Sequence, residues 1–344
     1  MLQIDPSYVA AAREATRAAD LHELLRNAIR LEHATIPPYL TAAYSLIPGT
    51  NTIVRNAIEA IALEEMLHMA ILANVLNAIG GSPEFDKPEF IPNYPDRLPM
   101  NIGTGLVVGL EKFSSRLNHD VFMIIEEPEN PIPFPGPFEE LGVRVFATIG
   151  AFYNALIVKI GELGDGIFTG DVNRQVIIDA GFPSQQLFAI TNVETAVRAL
   201  RQVVREGEGT ETLPFDEEGE VAHYYRFEEI DRGRRLREDP NVELGFSFSG
   251  AEIPFAPAEI FDIPDNPKMA DYAPGSAQHR KVESFNRAYS DMLRSLQQTF
   301  NGAPRQIGEA RSLMTLLRRI GTNIVALTDP ATGRNLGLTF EFIP

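Results

Sequence analysis

Two Glu-x-x-His pairs, Glu65 to His68 in LEEMLHMAIL and Glu220 to His223 in GEVAHYYRF, occur in a chain without cysteine. Residues i and i+3 of an α-helix share a face, so each pair can offer a carboxylate and an imidazole to one ion. Both pairs fall on the apolar side of a predicted helix, where an unpartnered carboxylate is costly or takes up a proton. A third inward acid, Glu32, lies within about 20° of Leu21 and Leu25 on a helical wheel. An internal hydrogen-bonded network accounts equally well for either pair alone. The two pairs together with Glu32 point to metal ligation, and hard oxygens with neutral imidazoles suit iron, with manganese or zinc as alternatives. Two such pairs on facing helices, with a Glu from each of two more, build a two-metal carboxylate site in a helical bundle.

The elements that must position these groups follow from periodicity. A helix is predicted from Asp20, read as its N-cap with Glu23 three residues on, with Leu21, Leu24, Leu25, Ala28, Leu31 and Ile36 on one stripe. Pro37 and Pro38 remove backbone donors, so this helix is expected to kink or restart one turn after Glu32. A second helix spans about 52–79 and stops at Gly80 and Gly81. His68 sits mid-arc on its wide apolar face, with Glu64 and Glu65 on either side. Residues 82–138 are dense in Pro and Gly and read as a long crossover with two or three short strands. A third helix, about 138–163, places no acid inward, and a fourth covers about 192–206. Its face is apolar, and Glu194 points outward towards Arg198 and Arg201. GEGT at 207–210 breaks that helix and holds Glu208, and a fifth helix from about Asp216 carries Glu220 and His223. Residues 232–275 read as an irregular covering layer with a strand near 242–249. Amphipathic helices at about 277–300 and 305–326 read as packing. The domain division expected is a bundle over 1–231, including the crossover, and a covering segment over 232–344.

Composition bounds the rest. With 344 residues, 44% of them hydrophobic, the chain can bury one large core or two ordinary ones. A formal charge of −17 argues against nucleic acid or an anionic membrane surface, both of which are bound through clustered Lys and Arg. The absence of Cys removes disulfides, thiolate zinc sites and Cys-ligated clusters. The N-terminal stretch has no continuous apolar region of signal-peptide type, so a cytoplasmic location is expected. The longest nearly apolar run, 145–158, falls short of the roughly 20 residues that span a bilayer and reads as a buried helix.

Other groups carry weaker signals. Glu64, four residues before His68, competes with Glu65, and the i−3 spacing favours Glu65. Glu126 and Glu127 in FMIIEEPEN, at the end of an expected strand, are within reach of the site as further acids, although solvated loop acids are the commoner reading. Tyr39, Tyr153 and Tyr224 are candidates to line a pocket beside the metal and orient a substrate, although core tyrosines with satisfied hydroxyls are commoner. His22, His33, His119 and His279 read as surface or packing residues. No phosphate-binding glycine loop or Gly-x-Ser-x-Gly motif occurs where a strand should meet a helix.

LEHATIPPYLTAAYSL, then LEEMLHMAILANVLNAIGGSP, EGEGT, EVAHYYRFEEI, YAPGSAQHRKVESFNRAYSDML and the closing GRNLGLTFEFIP resemble the bacterial ferritin-like family that includes the ferritin-like domain of iminophenyl-pyruvate dimer synthases. The resemblance covers nearly the whole chain. It implies a mainly α, ferritin-like bundle and, on matching positions, Glu32, Glu65, His68 and His223 as metal ligands, with Glu208 and Glu220 as further candidates. Ala151 and Asn154 stand where members commonly carry an acid, which implies a mononuclear or asymmetric centre or one completed by Glu208. The expected function is that of an oxygen-dependent non-haem iron oxidoreductase, with one or two ions, acting on a small amino-acid-derived substrate in specialised metabolism. The alternative is a non-catalytic metal-binding protein for iron handling or a partner enzyme, and either is compatible with a homodimer. A third reading, hydrolysis at a redox-inert zinc or manganese site, predicts activity without oxygen.

Overall fold

The prolines of the first long helix show how this chain supports its own irregularities. The computed structural model describes residues 4–101, 105–128, 131–132, 134, 148–177, 186–208, 213–215 and 219–344, and the side chain of Glu208 lies outside the described residues. After a short helix α1 (Pro6–Glu14), absent from the sequence-based expectations, α2 runs unbroken over Ala18–Ser45 through Pro37 and Pro38. The expected restart does not occur. The carbonyl of Ala34 would take its helical hydrogen bond from residue 37 or 38, and neither has an N–H. The buried hydroxyl of Tyr94 fills that role, donating to Ala34 O at 2.8 Å. At the other end Asp20 stands at the third helical position. It accepts from the backbone N–H groups of Thr16 and Arg17, so it caps from inside the first turn instead of preceding it.

Helix α3 (Thr52–Ala78) packs along the length of α2 and ends at Gly80, whose φ of +80° is the left-handed conformation that closes a helix C-terminus cheaply. The crossover differs from expectation at its most apolar point. VFMII is helical: α4 (Ser115–Leu117), a π-helical turn (Asn118–Phe122) and α5 (Met123–Ile125) follow without interruption. Ser114 caps the start by accepting from Leu117 N–H. A short apolar run cannot be told from a strand by pattern alone, and here Leu117, Val121 and Ile125, at i, i+4 and i+8, are buried together.

Helix α6 (Ile149–Leu163), capped by Thr148, packs on α1 and on α7 (Val193–Glu208). The expected start of α6, at 138–147, lies outside the described residues. Helix α7 runs through Gly207 to Glu208, into the expected break, whose remaining residues 209–210 lie outside the described residues. Helix α8 (His223–Arg232) begins seven residues after the expected Asp216. A bridge between Phe215 and Val221 and a bond from Ala222 N–H to Pro214 O precede it, and Glu220 is exposed and outside the helix; the expected start itself, at 216–218, lies outside the described residues. Beyond a two-residue hairpin, β1 (Arg237–Glu238) with β2 (Phe246–Ser247), the helices α9 (Ala277–Phe300) and α10 (Ile307–Val325) pair with each other. Val282, Phe285, Leu293 and Val325 join the same buried core as α2 and α3. No helix of the described residues is long and apolar enough to cross a membrane.

The role of Tyr94 is testable by heat denaturation. Tyr94→Phe strands the Ala34 carbonyl and should cost about 1–3 kcal/mol, and adding Pro38→Ala, which restores a backbone donor, should recover part of that loss.

Candidate metal centre

Glu32 of α2, Glu65 and His68 of α3, Glu126 directly after α5, and His223 at the first position of α8 converge inside the bundle. They form two groups that share one residue. Glu32, Glu65 and His68 make the first, and Glu65, Glu126 and His223 the second, with donor atoms in each group within 4.8 Å of one another. In the first group His68 Nδ1 lies 3.6 Å from Glu65 Oε2 and 3.7 Å from Glu32 Oε2. In the second His223 Nδ1 lies 2.9 Å from Glu65 Oε1 and 3.5 Å from Glu126 Oε2. The two imidazoles stack with centroids 5.5 Å apart.

These separations suit ligands around an ion better than partners in a hydrogen bond. Bonds of about 2.0–2.2 Å to one ion place neighbouring donors roughly 3.0–3.5 Å apart. His223 Nδ1 is fully buried and makes no hydrogen bond of acceptable geometry, even with a carboxylate oxygen at 2.9 Å. The far nitrogens are occupied. His68 Nε2–H donates to Glu206 Oε2 at 2.8 Å, and His223 Nε2–H donates to Glu64 Oε2 at 2.8 Å. Gln202 Nε2 donates in turn to Glu206 at 2.9 Å, and Arg226 to Glu64 at 2.7 Å. A carboxylate on one imidazole nitrogen sets the tautomer and turns the lone pair of the other towards a metal. Tyr153 donates to Glu32 and Tyr39 to Glu126, which anchors an oxygen of each outer carboxylate.

The electrostatics are those of acids crowded away from water. Burial and the neighbouring Glu65 raise Glu32 to about 7. Burial and Glu126 also push Glu65 upward, but the adjacent imidazoles of His223 and His68 outweigh them and leave it below the ordinary range. Burial opposes the charged form of both imidazoles, yet both stand well above their usual value. Glu206, Glu32 and Glu65 act on His68, and Glu126, Glu64 and Glu65 act on His223. Although burial pushes Glu64 up, His223 and Arg226 bring it down to about 2.

Of the residues expected from sequence, Glu32, Glu65, His68 and His223 meet here. Glu65 is the inward member of its pair, while Glu64 supports His223 from outside. Glu220 joins neither group, since α8 begins after it, and the side chain of Glu208 lies outside the described residues. Glu206 was not among the expected candidates, and Glu126 stood behind its solvated-loop reading. Glu206 extends the stripe of Ala199 and Val203 at i+3 and i+7, a signal present in the pattern of α7. Glu126 was assigned to a solvated loop because its segment read as a strand. Asn154 is exposed, and the α6 side chain that touches the centre is Tyr153. Tyr39 touches it through Glu126, whereas Tyr224 packs edge-on against Tyr225 beside a separate small apolar cluster. A cavity of about 50 Å³ adjoins the carboxylates, lined by Glu32, Glu65, His68, Glu126 and Tyr153 with Leu31, Ile125 and Val203 among its apolar walls.

A family model described as Ferritin-like matches residues 25–232, a span that includes every group named in the two clusters. Dichlorochromopyrrolate synthase of Lentzea aerocolonigenes is 23% identical over an alignment of 404 residues, which takes in 98% of this chain and 37% of that protein. The chain therefore spans well under half the length of this relative. The crystal structure of a ferritin-like protein from Caulobacter vibrioides superposes with a TM-score of 0.53 at 21% identity, covering 88% of this chain and 95% of that one. At that identity the likeness concerns the fold.

Histidine NMR of the metal-free protein tests the charge coupling. Glu64→Gln removes the anion on His223 Nε2, so the pKa of His223 should fall while that of His68 stays; an unmoved His223 would contradict the pairing.

Proposed function

This chain belongs to the ferritin-like family, and from that premise we propose that it is a metal-dependent oxidoreductase holding two adjacent iron ions. Glu32, Glu65 and His68 hold one ion, and Glu65, Glu126 and His223 the other. The observation that carries the reading is the sharing of Glu65 between two convergent groups whose imidazoles are both oriented by outer carboxylates. Iron bound by such oxygen and imidazole donors supplies redox chemistry with dioxygen or a peroxide.

The protein's own groups have separate tasks. Glu206 and Glu64 fix the imidazole tautomers and raise their basicity, and Tyr153 and Tyr39 keep the outer carboxylates from swinging. Leu31, Ile125 and Val203 keep bulk water from the inner face of the cavity. Tyr153, which lines that cavity with its hydroxyl on Glu32, is the best placed group to hold a proton beside the centre. Likeness to a synthase supports a small amino-acid-derived substrate in specialised metabolism. A cavity of about 50 Å³ favours a second reading, since it suits dioxygen or a few waters better than an organic substrate. On that reading the chain binds and handles iron without substrate turnover. Anaerobic loading with Fe(II) followed by oxygen separates the two: rapid oxidation with substrate consumption supports the enzyme, and inert stoichiometric binding supports the second reading.

His68→Ala and His223→Ala should each lower metal content from about two ions per chain towards one, since each removes a ligand from a different group. Metal analysis showing wild-type occupancy in both variants would reject the assignment. Loading should also be proton-linked. Both imidazoles have raised pKa values and Glu32 titrates at about 7, so the metal-free centre retains protons near neutrality that an ion must displace. Affinity should therefore rise with pH, by about tenfold or more between about pH 6 and about pH 8, and a flat profile in a titration with Mn(II) would contradict this.

A further inference from the structure

A second and larger cavity, of about 500 Å³, lies between the α2–α3 pair and the α9–α10 pair, whereas the carboxylates meet on the side of α6 to α8. Close-packed interiors leave few voids larger than a water molecule, and pockets for small organic ligands run about 300–1,000 Å³. Its long axis follows α2. His33 and Tyr44 both line it, and eleven helical residues at 1.5 Å each separate its ends by about 16 Å.

The walls are apolar and adaptable. Met66, Met69, Met292 and Met314 contribute unbranched, polarizable side chains that fit themselves to varied shapes, and Phe85 and Phe300 add aromatic faces. One polar group stands out at the buried end. His33, 1% exposed, shares a hydrogen bond of 2.6 Å between its Nε2 and the hydroxyl of Tyr289, while its Nδ1 is buried with no hydrogen-bond partner. Its Nδ1 can serve a ligand as donor or acceptor, according to which way the Tyr289 bond runs. The charges at the other end already satisfy one another, since Glu59 takes hydrogen bonds from both Arg55 and Arg318.

From this geometry we infer that the chain has a second small-molecule site, independent of the metal centre, for an elongated neutral and largely apolar compound with one hydrogen-bonding group that reaches His33 Nδ1. Arg311, which also lines the cavity, is exposed to solvent, so a charged head group would have no buried counter-ion.

Fluorescence titration with N-phenyl-1-naphthylamine, a neutral probe with a single N–H, tests this, with 2-naphthol and naphthalene as competitors. The expected result is saturable binding of one probe per chain, with naphthol displacing it about tenfold better than naphthalene, and loss of that preference in His33→Leu. Met292→Trp and Met314→Trp, which fill the cavity from α9 and α10, should each abolish binding while metal content stays at the wild-type level. The half-buried Met314 carries the test should Met292→Trp lower the melting temperature. Non-saturable uptake by the wild type, or wild-type binding in a natively melting Met314→Trp variant, overturns the site.

Discussion

The charge balance around Glu65 is the constraint on which the rest of the structure depends. Five carboxylates, Glu32, Glu64, Glu65, Glu126 and Glu206, touch two imidazoles in an interior from which water is largely excluded. With neutral imidazoles, these acids less the charge of Arg226 leave four negative charges, which two divalent ions would balance. Without ions the protein must hold protons there, and the raised pKa values of Glu32, His68 and His223 are that response. Such a cluster survives only where its members are held from several directions. Here α2, α7 and α8 deliver one member each, the residue directly after α5 delivers Glu126, α3 delivers three, and α6 delivers the tyrosine that steadies Glu32.

That division of labour explains what was legible in the sequence. Glu32, Glu65 and His68 sit on long helices with clear periodicity, so their inward direction followed from phase alone. His223 was found for a different reason than its position warrants. The expected i, i+3 relation with Glu220 does not exist, because the pairing of Phe215 with Val221 delays α8 until His223 itself. The imidazole's partners come from α3, namely Glu64 and Glu65, and from Glu126. Glu126 stood second to a loop reading because five apolar residues in a Pro-rich stretch carry no period long enough to separate helix from strand. Glu206 was lost although its phase was readable, since the expected break drew the reading to Glu208. The fold itself was readable as a mainly helical bundle, with the two closing helices placed within a residue or two of their ends.

The prolines of α2 illustrate a tertiary effect that local rules miss. Pro37 and Pro38 remove the two donors that Ala34 O needs, and a kink or a restart was the local expectation. Tyr94, far along the crossover, supplies the donor and the helix continues. This keeps Glu32 on one side and His33 with Tyr44 on the other of one uninterrupted element. The same helix thereby separates a dry, highly charged centre from an apolar cavity built with α9 and α10.

Anomalous diffraction from crystals loaded with Fe(II) or Mn(II) tests the central claim most directly. The account predicts two peaks about 3.5–4 Å apart, one beside His68 Nδ1 and one beside His223 Nδ1, with Glu65 between them. A metal-soaked crystal with no density at Glu65, and with both Nδ1 atoms hydrogen-bonded to carboxylates instead, would contradict it.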